Sequence, residues 1–236
     1  MRLLLFDVDG TLLSARGAGR RAVKAALERV YGTGGAIDEY DLRGKTDQRI
    51  VFDVMEAAGL PREAVKERLD DFFEAYARGL VEEIGDGRSV ATLPGVASLI
   101  RRLDQTQGVL LGLLTGNIEE GARIKLTPTG LWPYFPVGAF GSDDVDRRRL
   151  PSLAARRAHA LVGYPFRPDE VLVIGDTPLD IECARAFGAI AVVVATGHHT
   201  RAELLDERPD LVFDDFSDVD HAAAALISVH HARPMT

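Results

Sequence analysis

The first eleven residues constrain the fold more than any other stretch of the chain. Leu3, Leu4, Leu5 and Phe6 form a continuous apolar run that ends in Asp7-Val8-Asp9-Gly10-Thr11. An unbroken apolar run closed by a glycine predicts a strand buried on both faces, as in mainly parallel sheets covered by helices. Such sheets hold their ligands at the carboxyl ends of the strands, and here that end carries two carboxylates two residues apart. On a strand this spacing sends both side chains to one face. The bland alternative is an acidic turn whose aspartates bond the local backbone.

Further strands are predicted at Val109 to Leu114, Val137 to Phe140, Val171 to Ile174, Ile190 to Ala195 and Leu211 to Phe213, mostly separated by segments of helical period. Strand alternating with helix implies right-handed crossovers and an α/β, Rossmann-like, mainly parallel sheet with helices on both faces. Residues 15–90 break this rhythm, with helical periodicity and no good strand. Ala22 to Val30 and Arg49 to Ala58 read as helices, and Gly59-Leu60-Pro61 closes the second. From Glu63 to Ile84 the apolar positions Val65, Leu69, Phe72, Phe73, Tyr76, Leu80 and Ile84 predict one long helix with a single buried face. The expected organisation is an α/β core of residues 1–14 and 91–236 with an inserted helical domain, 15–90. Its joints fall near Ser14 to Gly19 and Asp86 to Pro94. A short helix from His221 to Val229 and a frayed end from His231 complete the chain.

The balance of 28 basic and 36 acidic residues, a net charge of -8, argues against a nucleic-acid partner. It leaves room for a phosphorylated substrate, because a local cation reverses the field at a site. No apolar run reaches membrane-spanning length and no signal segment is evident. The single cysteine, Cys183, cannot form a disulfide within the chain and reads as a small buried residue. The expected location is cytoplasmic.

Two more strand ends carry polar residues. Leu113-Leu114-Thr115-Gly116-Asn117 offers a hydroxyl and loosened backbone N–H groups, a small anion nest, unless Thr115 merely caps a helix. Val173-Ile174-Gly175-Asp176-Thr177-Pro178-Leu179-Asp180 ends a buried strand in glycine and aspartate, and a proline then opens a helix. In this order, the segments after Phe6, Leu114 and Ile174 resemble signatures of the haloacid dehalogenase-like hydrolases. The likeness is to the helical-cap branch that includes phosphoglycolate phosphatase. The resemblance runs from Phe6 to about Thr196 and implies that the insert is a cap.

That likeness implies an Mg²⁺-dependent phosphatase. Asp7 is the candidate nucleophile, since a carboxylate can attack phosphorus and split hydrolysis into two steps. Asp9 is the candidate general acid and base, and the resemblance adds its main-chain carbonyl as a metal ligand. Thr115, with Gly116 and Asn117, would bind phosphoryl oxygens. Asp176 is the expected carboxylate ligand. Asp180 would hold a metal-bound water or orient Asp176, or would simply favour a helix start. Three carboxylates converging on a phosphate repel one another by several kcal/mol, which calls for a hard cation such as Mg²⁺.

The cationic signature is imperfect. The family usually carries lysine then proline, whereas this chain reads Asp146-Arg147-Arg148-Arg149-Leu150-Pro151. Arg147 best fits the offset, with Arg148 and Arg149 as alternatives, and would clamp nucleophile to phosphate. In the cap, Arg43 or Lys45 of Leu42-Arg43-Gly44-Lys45-Thr46-Asp47 could bind a second anionic group on a small phosphorylated metabolite. Arg16 and Arg20 are further candidates, and His198-His199 reads as a surface loop. The oligomeric state is left open. Other readings are a phosphoryl mutase, a dehalogenase of the same fold, and a non-catalytic aspartyl-phosphate signalling module.

Overall fold

The computed structural model describes residues 1–230; the expected fraying from His231 lies outside the described residues. Six strands form one parallel sheet. In chain order they are β1 (Arg2–Phe6), β4 (Val109–Leu114), β5 (Val137–Ala139), β6 (Val171–Gly175), β7 (Ile190–Val194) and β8 (Leu211–Phe213). Their spatial order is β5-β4-β1-β6-β7-β8, so β1 is central. Phe6 lies opposite Leu113 on one side and Ile174 on the other. That register brings the residues following all three strands out at one edge. Asp7 continues the ladder by donating its N–H to the Ile174 carbonyl at 2.8 Å.

Alternation along β1 divides the core. Leu4 and Phe6 face one apolar cluster, which includes Leu99 and Ile100 of α5 (Val96–Asp104) and Leu226 of α10 (Val219–Ser228). Leu3 and Leu5 face the other, with Ala154 and Ala158 of α7 (Leu150–Val162) and Ala184 of α8 (Pro178–Phe187). Helices on both faces explain why these strands read as unbroken apolar runs.

Between β1 and α5 lies a helical insert: α1 (Ala18–Tyr31), α2 (Asp47–Ala57), α3 (Arg62–Glu67) and α4 (Leu69–Ile84). The chain enters through β2 (Leu13–Ser14) and returns through β3 (Ala91–Thr92), and these pair antiparallel, so both crossings run side by side. Phe72 of α4 packs between Tyr31 and Tyr76, with ring centroids 6.4 and 6.0 Å away. The same buried cluster takes in Ala22, Phe72 and Tyr76 with Leu4 and Phe6, so the insert shares a core with the sheet.

The single helix expected from Glu63 to Ile84 is two. Arg68, with φ −114° and ψ 15°, interrupts it. Its guanidinium donates to the Val30 carbonyl near the end of α1. Apolar spacing alone does not register this break, because Val65, Leu69 and Phe72 keep helical intervals across it. The terminal helix α10 begins two residues earlier than expected, where the Asp218 side chain accepts from the His221 N–H.

Candidate active site

The strand edge opens on a cavity of ≈ 470 Å³, walled below by Asp7, Asp9, Thr115, Arg147 and Asp176 and above by residues of the insert. Asp7 is buried at the head of β1, only 6% exposed. Arg147 Nη2 lies 3.1 Å from its Oδ1 and 2.5 Å from Oδ1 of Asp180. Burial pushes Asp7 up to about 6, opposed by the Arg147 charge and assisted by Asp180 and Asp9; a hydrogen bond from Thr115 lowers it again.

Of the three consecutive arginines, only Arg147 faces the cavity. It sits in a short 3₁₀ turn, Arg147–Arg149, that Asp146 caps by accepting the Arg148 N–H. Arg148 folds back on Asp146 and Arg149 on Asp144, both exposed. The Nε of Arg147 is buried and has no hydrogen-bond partner, while Nη2 carries the contacts to Asp7 and Asp180.

Asp7, Asp176 and Asp180 bring carboxylate oxygens within 4.8 Å of one another. Asp176 is raised well above the ordinary aspartate range, first by burial and then by the charges of Asp7 and Asp180. Its position is held by Thr11, whose hydroxyl donates to Oδ1 at 3.1 Å. Gly10 makes the approach possible: its φ is +85°, and a Cβ there would stand 2.4 Å from Asp176 Oδ2. Crowded hard-oxygen donors that repel one another fit a small divalent cation. Asp180 differs from the other two. One of its oxygens takes Arg147, and the other accepts the Thr177 N–H and hydroxyl at 3.0 and 2.8 Å, capping α8. The expected helix-start role is present, and no bond joins Asp180 to Asp176, whose partner is Thr11.

Asp9 lies past the strand end, half-exposed to the cavity. Its Oδ2 accepts from Asn117 Nδ2 at 2.9 Å and Lys125 Nζ at 2.6 Å. Thr115 is no helix cap: α6 (Glu119–Leu126) starts after Ile118, and the Thr115 Oγ1 instead accepts from Asn117 Nδ2 at 2.8 Å. Gly116 is where the insert meets the sheet. A Cβ there would lie 2.0 Å from the Lys45 carbonyl oxygen, and its own carbonyl accepts the Asp47 N–H at 2.7 Å.

The cationic loop of the insert lines the cavity, and both of its cations also bond within the loop. Arg43 forks onto Asp41, Nε to Oδ1 at 2.7 Å and Nη2 to Oδ2 at 2.9 Å. Lys45 donates to the Asp41 carbonyl and lies over the Tyr40 ring, 4.1 Å from its centroid. Arg20 is bonded to the Ile37 and Asp38 carbonyls. Asp41 thus pairs with Arg43 through its carboxylate, and Lys45 bonds only its main-chain carbonyl.

Two wall residues were not foreseen. Lys125 is only 3% exposed. Asp47, at the start of α2, is buried, accepts the Ile118 N–H at 2.8 Å and is pushed up to about 7 by burial against the pull of Lys125. The available signal for Lys125 was its place among Ala122 and Leu126 on the buried face of α6.

Residues 4–185 match the haloacid dehalogenase-like hydrolase family, and the chain belongs to it. Among relatives, it is 27% identical over 232 residues to the phosphoglycolate phosphatase of Synechococcus elongatus, covering 96% of this chain and 99% of that one. It is also 30% identical over 227 residues to the tyrosine-protein kinase PtkA of Mycobacterium tuberculosis, covering 95% and 72%. Among solved structures, CbbY from Rhodobacter sphaeroides in complex with phosphate has the same fold, with a TM-score of 0.68, 20% identity and coverage of 93% and 96%.

Proposed function

We propose that this chain hydrolyses a small phosphate monoester with Mg²⁺, through a phosphoaspartyl intermediate at Asp7. That it is a phosphatase follows from its family and its phosphatase relatives. The observation that supports the detailed reading is the convergence of Asp7, Asp176 and Arg147 at one strand edge, with Asp9 held beside them.

In this reading an Asp7 oxygen forms a bond to phosphorus as the bond to the leaving oxygen breaks, and Asp9 gives that oxygen its proton. Asp9 then takes a proton from the water that attacks phosphorus, which frees Asp7. Arg147 shares the charge that builds on the phosphoryl oxygens, and the Thr115 hydroxyl donates to one of them. Asp7, Asp176 and the Asp9 main-chain carbonyl would hold Mg²⁺, with Asp180 bracing Arg147 beside them. When bound there, Mg²⁺ would offset the repulsion among these carboxylates and supply Lewis-acid assistance to the phosphoryl group. The insert serves as a cap over the edge, limiting water and selecting the substrate. Phosphoglycolate is the substrate suggested by the relatives; the loop of Arg43 and Lys45, which lines the cavity, would meet its carboxylate.

A dehalogenase does not need an acid at Asp9 or a ligand at Asp176, and a signalling module does not need Asp9 or a cap. Phosphate release from a panel of monoesters, including phosphoglycolate, hexose phosphates and nucleotides, with and without Mg²⁺, tests the reading. Mg²⁺-dependent release that disappears in Asp7→Asn is expected. Transfer to a sugar phosphate or a tyrosine peptide in place of water would contradict it.

A further inference from the structure

Lys125 is a buried cation with unusual surroundings. A lysine is rarely taken out of water unless it is paired. Here the amine is buried while the acid it meets is not: the Lys125 side chain is 4% exposed and that of Asp9 43%. The buried Asp47 also feels the Lys125 charge, but the carboxylate that Lys125 bonds directly is the one that lines the cavity.

The bonds have a direction. An ammonium only donates, so the Asn117 oxygen must be the atom that meets Lys125, at 2.6 Å. That fixes the amide. Its Nδ2 then donates to Asp9 Oδ2 and to Thr115 Oγ1. With Oγ1 already accepting, the Thr115 hydrogen is turned away from Asn117 and is available to Asp7 or a phosphoryl oxygen. On Asp9, Oδ2 receives both Lys125 and Asn117, while Oδ1 has no partner among the described residues. One oxygen is anchored and the other is left unbonded on a residue that lines the cavity.

We propose that Lys125 is a positioning residue for the reaction. By anchoring Asp9 Oδ2 and setting the orientation of Asn117, it reserves Asp9 Oδ1 for proton transfer and the Thr115 hydrogen for the phosphoryl side. Lys125 itself touches no reacting atom. This rests on the phosphatase reading above.

The test separates leaving groups. With an alkyl phosphate the departing oxygen needs a proton from Asp9; with p-nitrophenyl phosphate it does not. The ratio kcat/KM reports the steps up to phosphorylation of Asp7. Lys125→Met should lower kcat/KM for the alkyl ester by about 100-fold or more, and for the nitrophenyl ester at least tenfold less than that. Lys125→Arg should recover most of the difference. Adding Lys125→Met to Asp9→Asn should cost little further. Equal losses on both esters, or losses that multiply in the double variant, would overturn the proposal. Lys125→Gln, which retains an N–H for Asn117, serves as a second variant read in the same way. If neither variant gives a cooperative melt, Lys125 is a folding staple and the proposal falls. A wild-type protein that releases no phosphate from either ester fails the phosphatase reading and takes this inference with it.

Discussion

Arg147 and Asp7 stand 3.1 Å apart, buried together, although 140 positions separate them in the chain. The same guanidinium also holds Asp180, so one cation ties the end of β1 to the first turn of α8. A buried charge shared by two carboxylates should be costly to remove.

Arg147→Met should lower phosphate release by about 10²–10³-fold, the usual effect of losing one group that meets developing charge. It should also destabilise the fold by about 3–5 kcal/mol, because two buried carboxylates would lose their partner. Arg147→Lys should restore part of both, since a lysine keeps the charge that Nη2 now presents to Asp7 and Asp180 but not the planar guanidinium that carries it. Steady-state kinetics and urea melts on the three proteins check this.

Thr11 acts on the metal site through Asp176. Thr11→Val keeps the shape and removes the donor to Oδ1. Half-saturating Mg²⁺ should rise by about 10–100-fold, as for other lost contacts behind a metal ligand, with kcat at saturating Mg²⁺ changed much less. A Mg²⁺ titration of activity, paired with calorimetry, measures it.

Gly116→Ala should unseat the insert. The added methyl meets the Lys45 carbonyl oxygen, and overpacking of this kind costs about 1–3 kcal/mol. KM should rise more than kcat falls, because the wall that faces the substrate moves while Asp7 and Asp9 do not.

The strand ends were legible because buried parallel strands spell themselves as apolar runs, and because Asp7, Thr115 and Asp176 follow such runs directly. Arg147 was legible only as one of three arginines. Its neighbours are distinguished from it by Asp146 and Asp144, which take Arg148 and Arg149 in the folded loop. Arg43 and Lys45 were legible as cations of a cap loop, but not the bonds that Arg43 makes to the Asp41 carboxylate and Lys45 to its carbonyl. Lys125 escaped notice because its burial depends on Asp9 and Asn117, partners that the fold brings to it. The break at Arg68 is likewise tertiary, set by the Val30 carbonyl.

Asp47 gives a pH signature. Its native value of about 7 stands above the ordinary 3.8. Between these values the native state binds more protons than the unfolded one, so stability falls as pH rises through that window. The penalty is roughly 4 kcal/mol at most above pH 7. Asp47→Asn, whose oxygen can still accept the Ile118 N–H, should flatten the decline. Urea melts of both proteins from pH 3.5 to pH 8 should converge at the acid end and diverge, with the variant more stable, at the alkaline end.

The central claim is that Asp7 carries the phosphoryl group. Acid quenching during turnover with Mg²⁺ and the best monoester, followed by peptide mass analysis, tests it directly. A phosphoryl group on the peptide containing Asp7, absent without Mg²⁺ and absent in Asp7→Asn, is the result expected. Sustained phosphate release with that peptide unmodified at every quench time, or with the phosphoryl group on another residue, would contradict it.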